Sequence, residues 1–390
     1  MKKSTRIKSI DLLRGLVIVI MALDHVRDYF HYDAFFFDPT DITQTNLALF
    51  GTRFITHFCA PVFIFLAGTS AFFVGQRKSK KDLSIWLLKR GFWLIFLELV
   101  IMDFGWTFTL DYSMTILQVI WVLGASMIYL AGFIHLPKKI MVAISLLAIF
   151  GHNYFDSFSP VNPTASVLWS FLHVFDPIDF SSFQIFVVYP FVPWIFVMLL
   201  GYHFGTLYQS TVNEQFRFKR LIQLGLGCVL LFFLLRFSNV YGNLTPWVND
   251  ADWSKSLISF FNISKYPPSL LYLLISMGPS FIFLAFAEKW SSHWTEKLLI
   301  FGRVPMFFYI IHIYVIHFFA LIAAMIMGFK PSDMVIDIWI NFQTELQGFG
   351  FNLGIVYGIW LLLIIGMYPL CKWYDLYKRD NREKWWLGYL

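Results

Sequence analysis

The segment Asp24-His25-Val26-Arg27-Asp28-Tyr29-Phe30-His31 closes an apolar run, Leu16-Val17-Ile18-Val19-Ile20-Met21-Ala22-Leu23. At helical spacing Asp24 lies three residues from Arg27 and four from Asp28, His25 three from Asp28, and Arg27 four from His31, so these pairs share faces. A histidine beside a carboxylate in a dry site is a general-base pair. Ionisable groups in hydrocarbon are costly and persist mainly where they face a polar cavity and work in it; the alternative is a structural plug of ion pairs at a membrane interface. Asp24, His25 and Asp28 are thus candidate catalytic groups, and Arg27 and His31 candidate substrate ligands.

Three further stretches carry groups of the same kind. Arg53 and His57 are four apart at the head of Thr52–Gly68, at a depth that lets Arg53 reach Asp24 or Asp28, and Pro61 should open the backbone ladder there. His57 joins the catalytic candidates and Arg53 the substrate-binding ones. His312 falls near mid-membrane in Phe301–His317, where a histidine needs a partner or water. His312 and His317 are five apart and do not share a face, which weakens a two-histidine metal or haem reading. Asp11 and Arg14, three apart, suit an ion pair at the other end of the first apolar run. Arg14 and Arg303 are candidate ligands for an anionic cofactor at that end.

What positions these groups is a set of membrane spans. The 390-residue chain is 58% hydrophobic and only 14% charged. Stretches near the ~20 residues needed to cross a bilayer recur at 10–31, 51–74, 84–105, 115–134, 139–156, 184–208, 220–240, 267–288, 298–328 and 350–371. The ninth holds Pro305 near its start, so it is expected to be tilted, kinked or preceded by a short interfacial helix. The expectation is an all-α polytopic bundle of about ten spans (nine to eleven), forming one integral-membrane domain over 1–390.

Basic residues test that count. With a cytoplasmic N-terminus, 23 of the 30 lysines and arginines fall on the inside, in groups around Lys2–Lys8, Arg77–Arg90, Lys138–Lys139, Arg217–Arg220, Lys289–Arg303 and Lys372–Lys384. The outside keeps only Lys255, Lys265 and Lys330, and Arg14, Arg27, Arg53 and Arg236 lie within spans. This is the positive-inside pattern, with both termini cytoplasmic. The net charge of +6 follows from it and from anionic headgroups, and does not point to nucleic acid. The 46 Phe, 15 Trp and 18 Tyr suit lipid-facing surfaces and interfacial belts. Cys59, Cys228 and Cys371 lack metal-ligand spacing and are expected as free thiols. The first apolar run has no small-residue cleavage site, so no removable signal is expected.

The stretches Arg6–Gly15, Asp24–Asp28, Pro61–Gly68, Lys265–Ser269, Gly302–His312 and Tyr368–Cys371, with Trp385-Trp386, run nearly end to end. Together they resemble the catalytic-domain family of heparan-alpha-glucosaminide N-acetyltransferase, in its bacterial branch, within a wider group of transmembrane acyltransferases. The resemblance implies acetyl-CoA taken from the cytoplasmic side and acetyl delivered to an amino sugar on the other. It also implies that an asparagine at the outer end of the first span and a histidine in the following loop act in transfer. Counted from Arg14-Gly15, the asparagine position is occupied by His25. Residues 32–50 hold no histidine, so His31 is the nearest counterpart of the loop histidine. A family histidine ten residues after a glycine in a late span matches His312 after Gly302.

Residues and resemblance together point to an acyl-CoA-dependent transmembrane acyltransferase of the plasma (inner) membrane. Its co-substrate would be acetyl-CoA or another acyl-CoA, its acceptor a small molecule or glycan, its solvent the lipid bilayer, with no metal, and a homodimer is compatible with it. A proton-coupled small-molecule transporter would carry much the same Asp/His/Arg relay. A haem- or quinone-binding protein would require histidines facing one another across helices.

Overall fold

The computed structural model describes residues 7–336 and 339–389; Lys2, Lys3 and Arg6, three of the basic residues counted above, lie outside them. In chain order the helices are α1 (Lys8–Phe30), α2 (Leu47–Ile55), α3 (Cys59–Gly75), α4 (Lys80–Phe96), α5 (Asp103–Thr107), α6 (Val119–Phe133), α7 (Lys138–Gly151), α8 (Pro163–Leu172), α9 (Phe191–Phe204), α10 (Glu214–Ser238), α11 (Trp253–Phe261), α12 (Leu270–Ala287), α13 (His293–Arg303), α14 (Pro305–Ile326) and α15 (Leu353–Asp380). Three strands, β1 (Met114–Leu117), β2 (Pro177–Phe180) and β3 (Phe183–Val187), pair in the order β1-β3-β2, the first pair parallel and the second antiparallel.

The protein is mostly helical and suited to a membrane. Six helical segments, 47–75, 191–208, 214–238, 270–287, 305–326 and 353–380, are long and apolar enough to cross one. Outward-facing Leu226, Leu230 and Leu234 on α10 and Leu361, Leu362 and Ile365 on α15 are exposed, as lipid-facing side chains are. Helices fit that solvent because each satisfies its own backbone. Among the other expected spans, α1 carries Lys8, Asp11, Arg14, Asp24, Arg27 and Asp28, and α4, α6 and α7 are 17, 15 and 14 residues long.

The structure revises several expected elements. The expected spans at 115–134 and 184–208 each begin as a strand, β1 and β3, and become helical only at Val119 and Phe191, so the fold is not all-α. The long ninth stretch follows one of the expected outcomes, a short helix α13 before α14, parted at Val304, because Pro305 starts a helix better than it continues one. The second is α2 and α3 joined by a 3-10 turn, Thr56–Phe58. Pro61 has no N–H to give the carbonyl of His57, and Ser276 Oγ of α12 donates to it instead at 3.1 Å.

α1 runs through the middle, packed on α3, α12, α13, α14 and α15. Its contact with α13 is backbone on backbone: a Cβ on Gly302 would run into the Asp11 carbonyl, and one on Gly15 into that of Leu298. At its far end Phe351 N–H donates to Phe30 O at 2.7 Å and Tyr32 N–H to Phe351 O at 3.2 Å. Gly350, at φ 113°, lets the two segments touch there. In the last turn of α10, buried Arg236 donates to the carbonyls of Thr245, Ser259, Phe260 and Asn262 at 2.6–3.1 Å, holding the 241–266 loop. The three cysteines are free.

Candidate active site

Two cavities enter the bundle from opposite ends of α1. The one at the Asp24 end, about 170 Å³, is lined by Asp24, His25, Arg27, Asp28, His31, Arg53, Lys265, Trp106, Tyr266 and Tyr309, among others. The one at the Arg14 end, about 450 Å³, is apolar but for a few groups, including Arg14, Ser70, Arg90, Arg303 and Lys378. Met21, Phe63, Val119 and Tyr309 line both, so the cavities meet wall to wall. The eleven residue steps from Arg14 to His25 rise about 16 Å along α1.

His25 lies beside that junction. Its Nδ1 meets His312 Nε2 at 2.8 Å, and the imidazoles stack with centroids 5.0 Å apart. His312 is fully buried, and its Nδ1 lies 2.9 Å from the Phe308 carbonyl one turn back on α14. A carbonyl only accepts, so in the neutral imidazoles His312 carries its proton on Nδ1, and its Nε2 must accept. His25 then donates from Nδ1, and its Nε2 keeps a lone pair. Among the described residues nothing bonds that Nε2, and His25 lines the cavity.

The expected orientation of His25 by Asp24 or Asp28 is corrected here. Arg27 takes both carboxylates: its Nη2 is 2.7 Å from Asp24 Oδ1 and 2.6 Å from Asp28 Oδ1. Arg53 Nη1 and Lys265 Nζ each lie 3.6 Å from Asp24 Oδ2. The pairing of Arg53 with Asp24 anticipated from loop length is present. Arg53 and Lys265 also share the Tyr266 ring, at 5.9 and 5.2 Å from its centroid. Lys265 was legible only as one of three lysines outside the spans; its place in Lys265-Tyr266-Pro267-Pro268 was the available signal.

His57 does not face this cavity. The 3-10 turn winds at three residues per turn, which rotates His57 off the Arg53 face. Its Nδ1 donates to Phe54 O at 2.9 Å, and its ring packs edge-on to Tyr272. His31 lines the cavity, but its Nδ1 accepts from Asp33 N–H at 3.2 Å and caps the turn that follows α1. His317 ties α14 to its surroundings: its ring nitrogens lie 3.0 Å from Gly105 O and 2.8 Å from Met334 O. Trp106 packs edge-on against His25 at 4.9 Å, and its buried indole N–H has no partner among the described residues.

At the other end Arg14 donates to Asp11 at 3.1 Å, Gly302 O at 3.2 Å and Ser70 Oγ at 2.9 Å. Arg303 pairs with Asp375 of α15 at 3.4 Å. Arg90 bonds the Gly388 carbonyl. These groups place several positive charges around an otherwise apolar chamber.

Residues 6–247 match the family described as "Heparan-alpha-glucosaminide N-acetyltransferase, catalytic". The chain belongs to that family. The match contains the acetyltransferase-family segment bearing Asp24, His25, Arg27, Asp28, Arg53 and Trp106, whereas Lys265, Arg303 and His312 lie beyond it. No curated protein matches the chain.

Proposed function

We propose that this acetyltransferase-family protein moves an acyl group, acetyl in the first instance, from an acyl-CoA in the Arg14 cavity to an acceptor in the Asp24 cavity. The observation that carries the reading is the pair of cavities sharing Met21, Phe63, Val119 and Tyr309, with the unbonded Nε2 of His25 in the wall beside that junction. With both termini cytoplasmic and about ten spans, the Arg14 cavity faces the cytoplasm, where CoA thioesters are made, and the acceptor sits outside the inner membrane. Besides the six long apolar helices, α1, α4, α6 and α7 would complete the ten.

The chain's own groups divide the work. Arg14, Arg90, Arg303 and Lys378 suit the phosphates of the nucleotide, and the apolar wall suits its arm. The thioester supplies an activated acyl carbonyl. His25 Nε2 takes the proton from the acceptor's N–H or O–H as that atom attacks the carbonyl and the carbon–sulfur bond breaks; the proton passes to the departing sulfur. His312 orients His25 through Nδ1 and accepts from the imidazolium that forms, the role a carboxylate has in a Ser-His-Asp triad. Arg27, Arg53 and Lys265 hold Asp24 and Asp28 and bound the acceptor's place.

Calorimetry of the purified chain with acetyl-CoA, followed by an acceptor screen, tests this. Saturable binding and transfer are expected. Absence of CoA binding would favour proton-coupled transport, the reading for which the buried His25–His312 contact would serve as a relay.

A further inference from the structure

Two hydrogen-bond donors stand beside His25 without an acceptor. Trp106 of α5 packs edge-on to the His25 ring at 4.9 Å and stacks on Tyr29 at 5.9 Å, and its carbonyl accepts from Tyr29 Oη at 2.5 Å. Residues of α1 therefore fix this indole through both its ring and its backbone. Its Nε1–H is buried and has no hydrogen-bond partner among the described residues. Tyr309 of α14 is 5% exposed; its ring stands edge-on to His25 at 6.3 Å and packs on His312 at 5.6 Å. It lines both cavities.

Neighbouring groups do not use these donors up. The Trp106 Nε1–H lies toward the Tyr309 hydroxyl without closing a hydrogen bond of normal geometry. A hydroxyl that accepts still has its own O–H to give, so Tyr309 stays a free donor in either case. Glu98, the acid whose charge reaches Tyr309, is turned to the start of α6, where its Oε1 accepts from Gln118 N–H at 3.2 Å; its Oε2 has no partner among the described residues. A buried N–H or O–H without an acceptor is costly, and its presence beside a general base calls for a ligand atom that accepts.

We infer that Tyr309 Oη–H and Trp106 Nε1–H are the oxyanion donors of this site, and that the atom they receive is the carbonyl oxygen of the acyl thioester. The inference rests on the acyl-transfer reading. As the acceptor's nitrogen or oxygen bonds to the carbonyl carbon, the π electron pair moves onto the carbonyl oxygen. It returns as the carbon–sulfur bond breaks, while the acceptor's proton passes through His25 Nε2 to the sulfur. Negative charge therefore builds on that oxygen and then leaves it. Donors already fixed in a site poor in water stabilise such charge without reorganising, and each is worth about 10²–10³ in kcat. Their place fits this task. Tyr309 stands where the two cavities meet, on the path of a thioester coming from the Arg14 end, and both rings pack on the histidine that takes the acceptor's proton.

The test measures acetyl transfer and the bound carbonyl in the same purified variants. Tyr309→Phe removes only a hydroxyl, and Trp106→Phe removes the N–H while leaving an aromatic ring against His25. Each should lower kcat by about 100-fold or more, with acetyl-CoA affinity within a few-fold of wild type. Infrared difference spectra with carbonyl-labelled acetyl-CoA supply a readout that packing does not mimic: the carbonyl stretch of the bound thioester should move to higher frequency when either donor is lost. Turnover within a few-fold of wild type in both variants, or a carbonyl stretch that neither variant moves, overturns the inference and leaves the acyl-transfer reading standing. A fall in acetyl-CoA affinity that matches the fall in kcat makes the two residues packing groups and overturns it as well. A wild-type chain that neither binds acetyl-CoA nor transfers from it overturns the acyl-transfer reading, and the inference with it.

Discussion

His25 of α1 and His312 of α14, 287 positions apart, join through a single 2.8 Å contact, and the Phe308 carbonyl behind them sets which nitrogen of each carries the proton. His312 is a positioning residue in this arrangement, since it reaches the acceptor only through His25. His312→Asn, which can still accept from His25, should retain much of the activity. His312→Leu should lose about 10²- to 10⁴-fold in kcat, with acetyl-CoA affinity unchanged. A drop in acetyl-CoA affinity matching the drop in kcat would mean the histidine serves packing.

Arg14 and Arg303 each touch the larger cavity while held by other groups. Arg303→Ala or Arg14→Ala should weaken acyl-CoA binding by roughly 1.5–3 kcal/mol, the worth of a charge-assisted contact, or about ten- to a hundredfold. Arg53→Ala should act on the acceptor side. Calorimetry with acetyl-CoA separates the two: unchanged affinity in both Arg14 and Arg303 variants would remove the nucleotide from that end.

Gly302 lies against the Asp11 carbonyl, and this crossing also delivers Arg14 to the Gly302 carbonyl. Gly302→Ala must push α13 off α1, at a cost of about 1–3 kcal/mol. A lowered unfolding temperature together with weaker acyl-CoA binding is expected. A variant as stable as the wild type would show that α13 and α1 do not meet backbone on backbone at this crossing.

Topology has its own check. Reporter fusions after Lys81, Lys139, Arg220 and Lys297 should read cytoplasmic, and fusions within 157–183 and 241–266 should read external. An external signal at Lys139 or Arg220 breaks the ten-span arrangement.

What the sequence made legible was local. Asp11–Arg14 and Asp24–Arg27 are ion pairs because helical spacing alone brings them together. Arg53 reaches Asp24 because a short loop joins adjacent antiparallel helices. His25 and His312 were each visible as candidates, but which faces of α1 and α14 meet is a packing outcome that neither periodicity contains. The strands β1 and β3 hid inside apolar runs because four or five apolar residues read alike as strand or as part of a span. His57 turns off the Arg53 face for a different reason: helical spacing does not hold through the 3-10 turn Thr56–Phe58.

The measurement closest to the central claim is acetyl transfer by His25→Ala. In the purified chain supplied with labelled acetyl-CoA and an acceptor, this variant should bind acetyl-CoA like the wild type and elute as a single monodisperse species. Its turnover should fall by at least about 100-fold, the contribution of a positioned general base. Turnover within a few-fold of wild type in a well-folded His25→Ala protein would contradict the assignment of His25 Nε2 as the base.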